Sequence, residues 1–198
     1  LTIGASDSPL AVLSAQARGI HVPVQVSHPQ PRANMWALTV PALLAGHALG
    51  LTAVPPDVVE RTADLLDTIA ERCRPSSETF MNPAKSLALD LAGQLPMIWG
   101  SGPIAAVASY RFACQLNENA KLPAVFGALP EANHNQVVAL DGPYGRLAAA
   151  GPDPDAELFR DRVEEAEAGP ARLRLVLLRD RLEHPQVARR AEASAALA

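Results

Sequence analysis

Short β-branched or apolar runs alternate along this chain with longer segments in which apolar residues recur every three or four positions, and no other feature narrows the possible folds as much. A strand followed by a helix carries the chain back across the sheet, so successive strands lie side by side in the same direction, with helices covering both faces. The expected fold is therefore α/β, a three-layer sandwich with a mostly parallel sheet flanked by helices. Strands are expected near residues 1–4, 22–26, 96–100, 122–126, 136–140 and 172–178, with helices between them. Ser8-Pro9 supplies an N-cap and a first-turn proline for a helix that should run to Arg18 and stop at Gly19. Val58, Val59, Thr62, Ala63, Leu65, Leu66 and Ile69 mark one apolar face of a helix beginning after Pro55-Pro56-Asp57. The stretch 141–154, rich in Gly, Pro and Asp, reads as an exposed loop.

A chain of 198 residues, 48% of them hydrophobic, can bury a core of one domain or somewhat more. Its formal charge of -4 comes without any cluster of Lys or Arg, which argues against nucleic acid as a partner. No apolar run approaches the roughly 20 residues that span a bilayer, and no secretory leader is recognisable, so a cytoplasmic protein with no membrane partner is expected. Cys73 and Cys114 have neither a CxxC pattern nor metal-type spacing and read as small buried hydrophobes. No metal or other cofactor is implied. The first residues, Leu1-Thr2-Ile3-Gly4, resemble the end of a strand, and the Ala-rich 191–198 reads as helix, so the sequence is expected to be an excerpt of something longer.

Three segments carry chemistry. Trp99-Gly100-Ser101-Gly102-Pro103 follows an apolar run and opens a helix, a strand–turn–helix arrangement that puts backbone N–H groups and a helix dipole where a substrate anion could sit. The same Gly-Ser-Gly can serve merely to turn the chain. Gln115-Leu116-Asn117-Glu118-Asn119-Ala120-Lys121 ends that helix in a polar run that a solvated helix end does not need. Leu129-Pro130-Glu131-Ala132-Asn133-His134-Asn135 then presents an imidazole between two amides.

The second and third segments together resemble the C-terminal sugar-isomerase (SIS) domain of the bifunctional phosphoglucose/phosphomannose isomerases, whose pattern pairs a QLNENAK-like helix end with a PE-x-NHN loop. Asn82-Pro83-Ala84-Lys85 matches that family's N-x-AK segment, and Gln30-Pro31-Arg32-Ala33 its QPRA segment. The resemblance runs over about residues 1 to 180. It implies a SIS, flavodoxin-like fragment of a double-SIS protein, with 1–50 the end of the first SIS subdomain and a connecting helix, and 51–198 the C-terminal SIS domain. It also implies a phosphorylated hexose as substrate and a homodimer with the histidine lent across the subunit boundary. Two departures stand out: the family's Ser/Thr-rich phosphate loops would lie before Leu1 and its C-terminal lysine beyond Ala198, and no Lys follows Lys121.

The reaction so implied, aldose–ketose exchange of glucose or mannose 6-phosphate with fructose 6-phosphate, moves a proton between adjacent carbons through an enediol. One base must take it from one carbon and return it to the other. Glu118 matches the family's base, and a partly shielded carboxylate suits the task. His134 matches the group that opens the ring by passing a proton between ring oxygen and hydroxyl, since imidazole donates and accepts near neutral pH. Arg32 is the candidate cation for the enediolate oxygens, and Gly100, Ser101 and Gly102 the candidate substrate-binding turn. Each has a plainer reading. Glu118 alone would be a helix-end carboxylate paired with Lys121, His134 a loop histidine bonded to backbone like His21, His28, His47 and His184, and Arg32 an anchor for the Pro31 turn. A non-catalytic SIS module that binds a phosphosugar for regulation is the competing function, and chemistry on an amino sugar is a third.

Overall fold

The computed structural model describes residues 1–25, 30–145 and 171–198, and these divide into two compact units, Leu1–Asn82 and Pro83–Ala198. In the first, β1 (Thr2–Gly4) pairs in parallel with β2 (His21–Pro23) across helix α1 (Pro9–Gln16). Ser8 caps α1 by accepting from Ala11 N at 3.3 Å, and Pro9 occupies the first turn where no N–H is needed. Helices α2 (Met35–Ala48) and α3 (Pro56–Arg72) complete the unit, with Pro56 opening α3 as its sequence requires.

The second unit is built on a three-stranded parallel sheet in the order β4-β3-β5: β3 (Leu95–Gly100) in the centre, β4 (Val125–Ala128) and β5 (Leu173–Leu178) beside it. Helix α4 (Pro83–Leu91) leads into β3. α5 (Pro103–Gln115) covers one face, where the Ser109 hydroxyl donates to Gly127 O at 3.2 Å. On the other face, Met97 and Trp99 of β3 pack with Leu173, Leu175 and Leu177 of β5 against Leu129, Leu140, Ala132 of α6 (Ala132–Asn135) and Ala191 of α7 (Pro185–Leu197). Met97, Ile98 and Trp99 are buried, which fits a central parallel strand covered on both sides. The expected α/β architecture of parallel strands flanked by helices is thus what the chain adopts.

Two expected strands differ. Residues 136–140 are not a strand: Val137–Asp141 winds as a 3₁₀ turn. Val137 and Leu140, three apart, reach the core while Val138 is 61% exposed, so the apolar run follows a helical rather than an alternating period. The strand expected at 122–126 starts later, at Val125, because Pro123 has no N–H for the ladder and Leu122 N instead donates to Leu116 O at 3.2 Å, closing the preceding helix. Of the loop expected at 141–154, residues 146–154 lie outside the described residues, as do His28 and the end of the 22–26 strand.

Candidate active site

The turn between β3 and α5 is set by backbone proximity. A Cβ on Gly100 would lie 2.2 Å from the backbone C and O of Ala105, so only glycine lets α5 start so close to the strand. Ser101, 3% exposed, accepts from Asp180 N at 2.8 Å and donates to the Glu183 carboxylate. Arg179 grips that carboxylate with its guanidinium, Nε lying 2.7 and 2.9 Å from the two oxygens. Arg179 first and Ser101 second hold the Glu183 carboxyl below its ordinary value, and the carboxylate in turn raises Arg179. Gly102 is extended, and a Cβ there would come within 3.1 Å of Asp180 Oδ2.

A cleft of about 450 Å³ opens above this turn, with Ser101, Gly102, Leu129, Asp180, Glu183 and His184 in its wall. α5 and α7 both start at its rim. His184 Nδ1 caps α7 by accepting from Gln186 N at 3.2 Å, which leaves Nε2 to carry the ring proton as a donor. The dipole that would draw an anion to Gly102 is already faced by the Asp180 carboxylate. With one carboxylate acceptor and one imidazole donor, the cleft offers hydrogen bonds of the kind sugar hydroxyls make.

At its other end α5 does not simply stop. Leu116–Ala120 winds one π-helical turn, and Lys121 ends it in the left-handed region at φ 58°. Lys121 Nζ donates to the backbone carbonyl of Glu118 at 2.7 Å rather than to its carboxylate. Asn119 donates to the Gln115 amide, which also lies within reach of Arg111. The Glu118 side chain is exposed and has no hydrogen-bond or ion-pair partner among the described residues. The ion pair with Lys121 that the spacing allowed does not form.

His134 sits on α6, and the amides of Asn133 before it and Gln136 two positions after it grip other elements. Asn133 Nδ2 donates to Ser194 Oγ of α7 at 2.7 Å, and Arg190 donates to Asn133 Oδ1 at 3.4 Å. Gln136 Oε1 accepts from the Trp99 indole at 2.7 Å while its Nε2 donates to Phe126 O at 3.1 Å. Gly127 permits this approach: a Cβ there would lie 2.8 Å from Ala132 Cβ. The His134 ring, like Glu118, is exposed.

The candidate residues therefore fall in separate places. Ser101 and Gly102 line the cleft, Gly100 is buried beneath it, and neither Glu118 nor His134 belongs to its wall. Arg32 is in the other unit, half-buried on the 3₁₀ turn Pro31–Ala33, where it donates to Gln30 Oε1 at 3.3 Å. The shielding expected around Glu118 is not provided by the described residues. Asp180, Glu183 and His184 were missed by the sequence reading, although the rule that sites form at the carboxyl ends of parallel strands points to the residues after β5 as well as those after β3. His184 and His47 do bond to backbone as their plainer reading holds. Among the described residues no group of three or more His, Cys, Asp or Glu could hold a metal ion, and no helix is long and apolar enough to cross a membrane.

Comparison with known proteins adds what geometry alone does not. The bifunctional phosphoglucose/phosphomannose isomerase of Caldicellulosiruptor bescii is 35% identical over 129 residues, 65% of this chain and 38% of the relative. A protein of the same description from Aquifex aeolicus is 34% identical over 80 residues, 40% of this chain and 25% of the relative. The D-glucosamine-6-phosphate 4-epimerase of Sulfolobus acidocaldarius is 39% identical over 79 residues, 39% of this chain and 23% of the relative. The matched stretches thus span well under half the length of each of these relatives. No solved structure matches. Residues 80–198, which include both exposed motifs and the whole three-stranded sheet, match the bacterial phospho-glucose isomerase C-terminal SIS domain, and the chain belongs to that family.

Proposed function

We propose that this chain is part of a sugar-phosphate isomerase that interconverts glucose 6-phosphate or mannose 6-phosphate with fructose 6-phosphate through an enediol. Glu118 takes the proton from C2 of the open-chain aldose and returns it to C1. His134 opens the hexose ring by passing a proton between the ring oxygen and its hydroxyl, and Arg32 meets the charge that develops on the enediolate oxygens. The protein works in the cytoplasm as a homodimer, in which a second subunit covers Glu118, exposed among the described residues, and lends its own His134 to complete the site.

One observation supports this reading above others. Within the family-matched region, a carboxylate and an imidazole stand exposed and without partners among the described residues, while Lys121, Asn133 and Gln136 close to them in sequence are tied down. A group that stabilises nothing, held on a braced scaffold, is free to act on a ligand. Relatives described as isomerases of glucose and mannose phosphates, and one as a sugar-phosphate epimerase, favour a carbohydrate phosphate as that ligand.

The test is a coupled assay of the complete protein with fructose 6-phosphate, beside Glu118→Gln. Loss of a general base lowers kcat by about 10²- to 10⁴-fold, with KM changed little. Wild-type protein that binds the sugar phosphate without turning it over would sink the isomerase and leave the regulatory module in its place.

A further inference from the structure

The His134 motif is braced from both sides, and the braces come from residues to which no role is attached. Asn133 spends its amide on α7: its Nδ2 donates to Ser194 Oγ, its Oδ1 accepts from Arg190, and the Ser194 hydroxyl passes its own proton to Arg190 O at 2.7 Å. Ser194 is fully buried, so the bond to Asn133 is anchored at one end in the interior. Three positions further on, Gln136 ties the same short segment to the sheet through Trp99 and Phe126. Between these anchors α6 has a single turn, too short to hold its own direction by helical hydrogen bonds alone. Ala132, 2% exposed, presses the turn into the core.

We infer that residues 132–136 are a mount for the His134 imidazole, and that Ser194 and Gln136 are positioning residues which fix its direction. This rests on the proposed role of His134 as the ring-opening proton shuttle. Proton transfer needs donor and acceptor within hydrogen-bond reach, and a displacement of about 1 Å costs up to about 100-fold in rate. A loosened mount therefore leaves the sugar bound but seldom correctly met.

Two variants open the α7 side without touching the ring: Ser194→Ala removes the buried hydroxyl, and Asn133→Ala removes the amide should the first repack. In the complete protein, each is expected to lower kcat on glucose 6-phosphate by about tenfold, with KM within about twofold of the unaltered value. The His134 ring resonances in the NMR spectrum read the mount independently of turnover. One sharp set is expected in the unaltered protein and broadened or doubled signals in both variants. Ring resonances unchanged in both variants overturn the mount, as does full turnover by both beside an inactive His134→Gln. Broadened resonances together with full turnover by His134→Gln uphold the mount and sink the shuttle reading instead.

Discussion

The two ends of α5 share one helix and were both singled out by sequence, yet they are built on opposite principles. At the N-terminal end the turn is locked by packing and polar bonds: Gly100 is pressed against Ala105, Ser101 bridges to Asp180 and Glu183, and Glu183 is held by Arg179. At the C-terminal end a π turn pushes Asn117, Glu118 and Asn119 into solvent, and the Glu118 carboxylate touches nothing described. A residue whose identity the packing demands needs no ligand to explain it. Glu118 has no such demand on it, and so its identity asks for a chemical explanation.

If that contrast is sound, substitutions at the first end should be felt in stability. Gly100→Ala should cost most, about 3 kcal/mol or more, because the methyl meets backbone atoms that have no rotamer by which to yield. The denaturant midpoint of the variant measures it, and a loss under about 1 kcal/mol would mean that α5 shifts easily and the turn is not closely fitted. Ser101→Ala follows at about 2 kcal/mol, since it leaves the part-buried Asp180 N–H without its acceptor and strips Glu183 of its hydroxyl donor, with Arg179 alone still holding the carboxylate. Chemical denaturation at pH 7 checks it.

Sequence and structure agree where the signal is local. Ser8-Pro9 and Pro56 mark helix starts through capping and fixed φ, the buried strand β3 announces itself as an apolar run, and β5 as one interrupted only by Arg174. The run 136–140 misleads because a short apolar stretch of five residues suits a strand or a helical turn equally in composition, and only the burial of Val137 and Leu140, three apart, decides for the turn. What sequence does not show at all is the partner of Ser101, which lies 79 residues further along and is brought alongside only by the β3–β5 pairing. The exposed motifs around Glu118 and His134 are legible as family patterns, whereas their braces in Ser194 and Trp99 become visible only when the helix and strand that carry them are packed.

A smaller effect comes from the Arg179–Glu183 pair. The folded Glu183 carboxyl is held below its ordinary value of 4.5, so its contribution to folding is present above that pH and fades as pH falls through the lower folded value. Glu183→Gln should lower the thermal midpoint slightly on the neutral plateau and flatten its fall on the acid side, so that the two curves converge as pH drops below about 4.5. An acid limb identical in both proteins would show that the pair does not support the turn.

The smallest effect on stability should come from the residue with the largest proposed effect on chemistry. Glu118→Gln removes a charge that is exposed and bound to nothing described, and Lys121 keeps its grip on the backbone carbonyl of residue 118 whichever side chain stands there. The expected change is within about 0.5 kcal/mol, the range for surface sites without a structural task. Measured on the same preparation as the assay, this separates the two ends of α5: Ser101→Ala loses stability, and Glu118→Gln loses turnover while keeping its midpoint. A loss of more than about 1 kcal/mol at position 118 would mean that the carboxylate supports the π turn after all. The reason for looking to chemistry to explain its presence would then be gone.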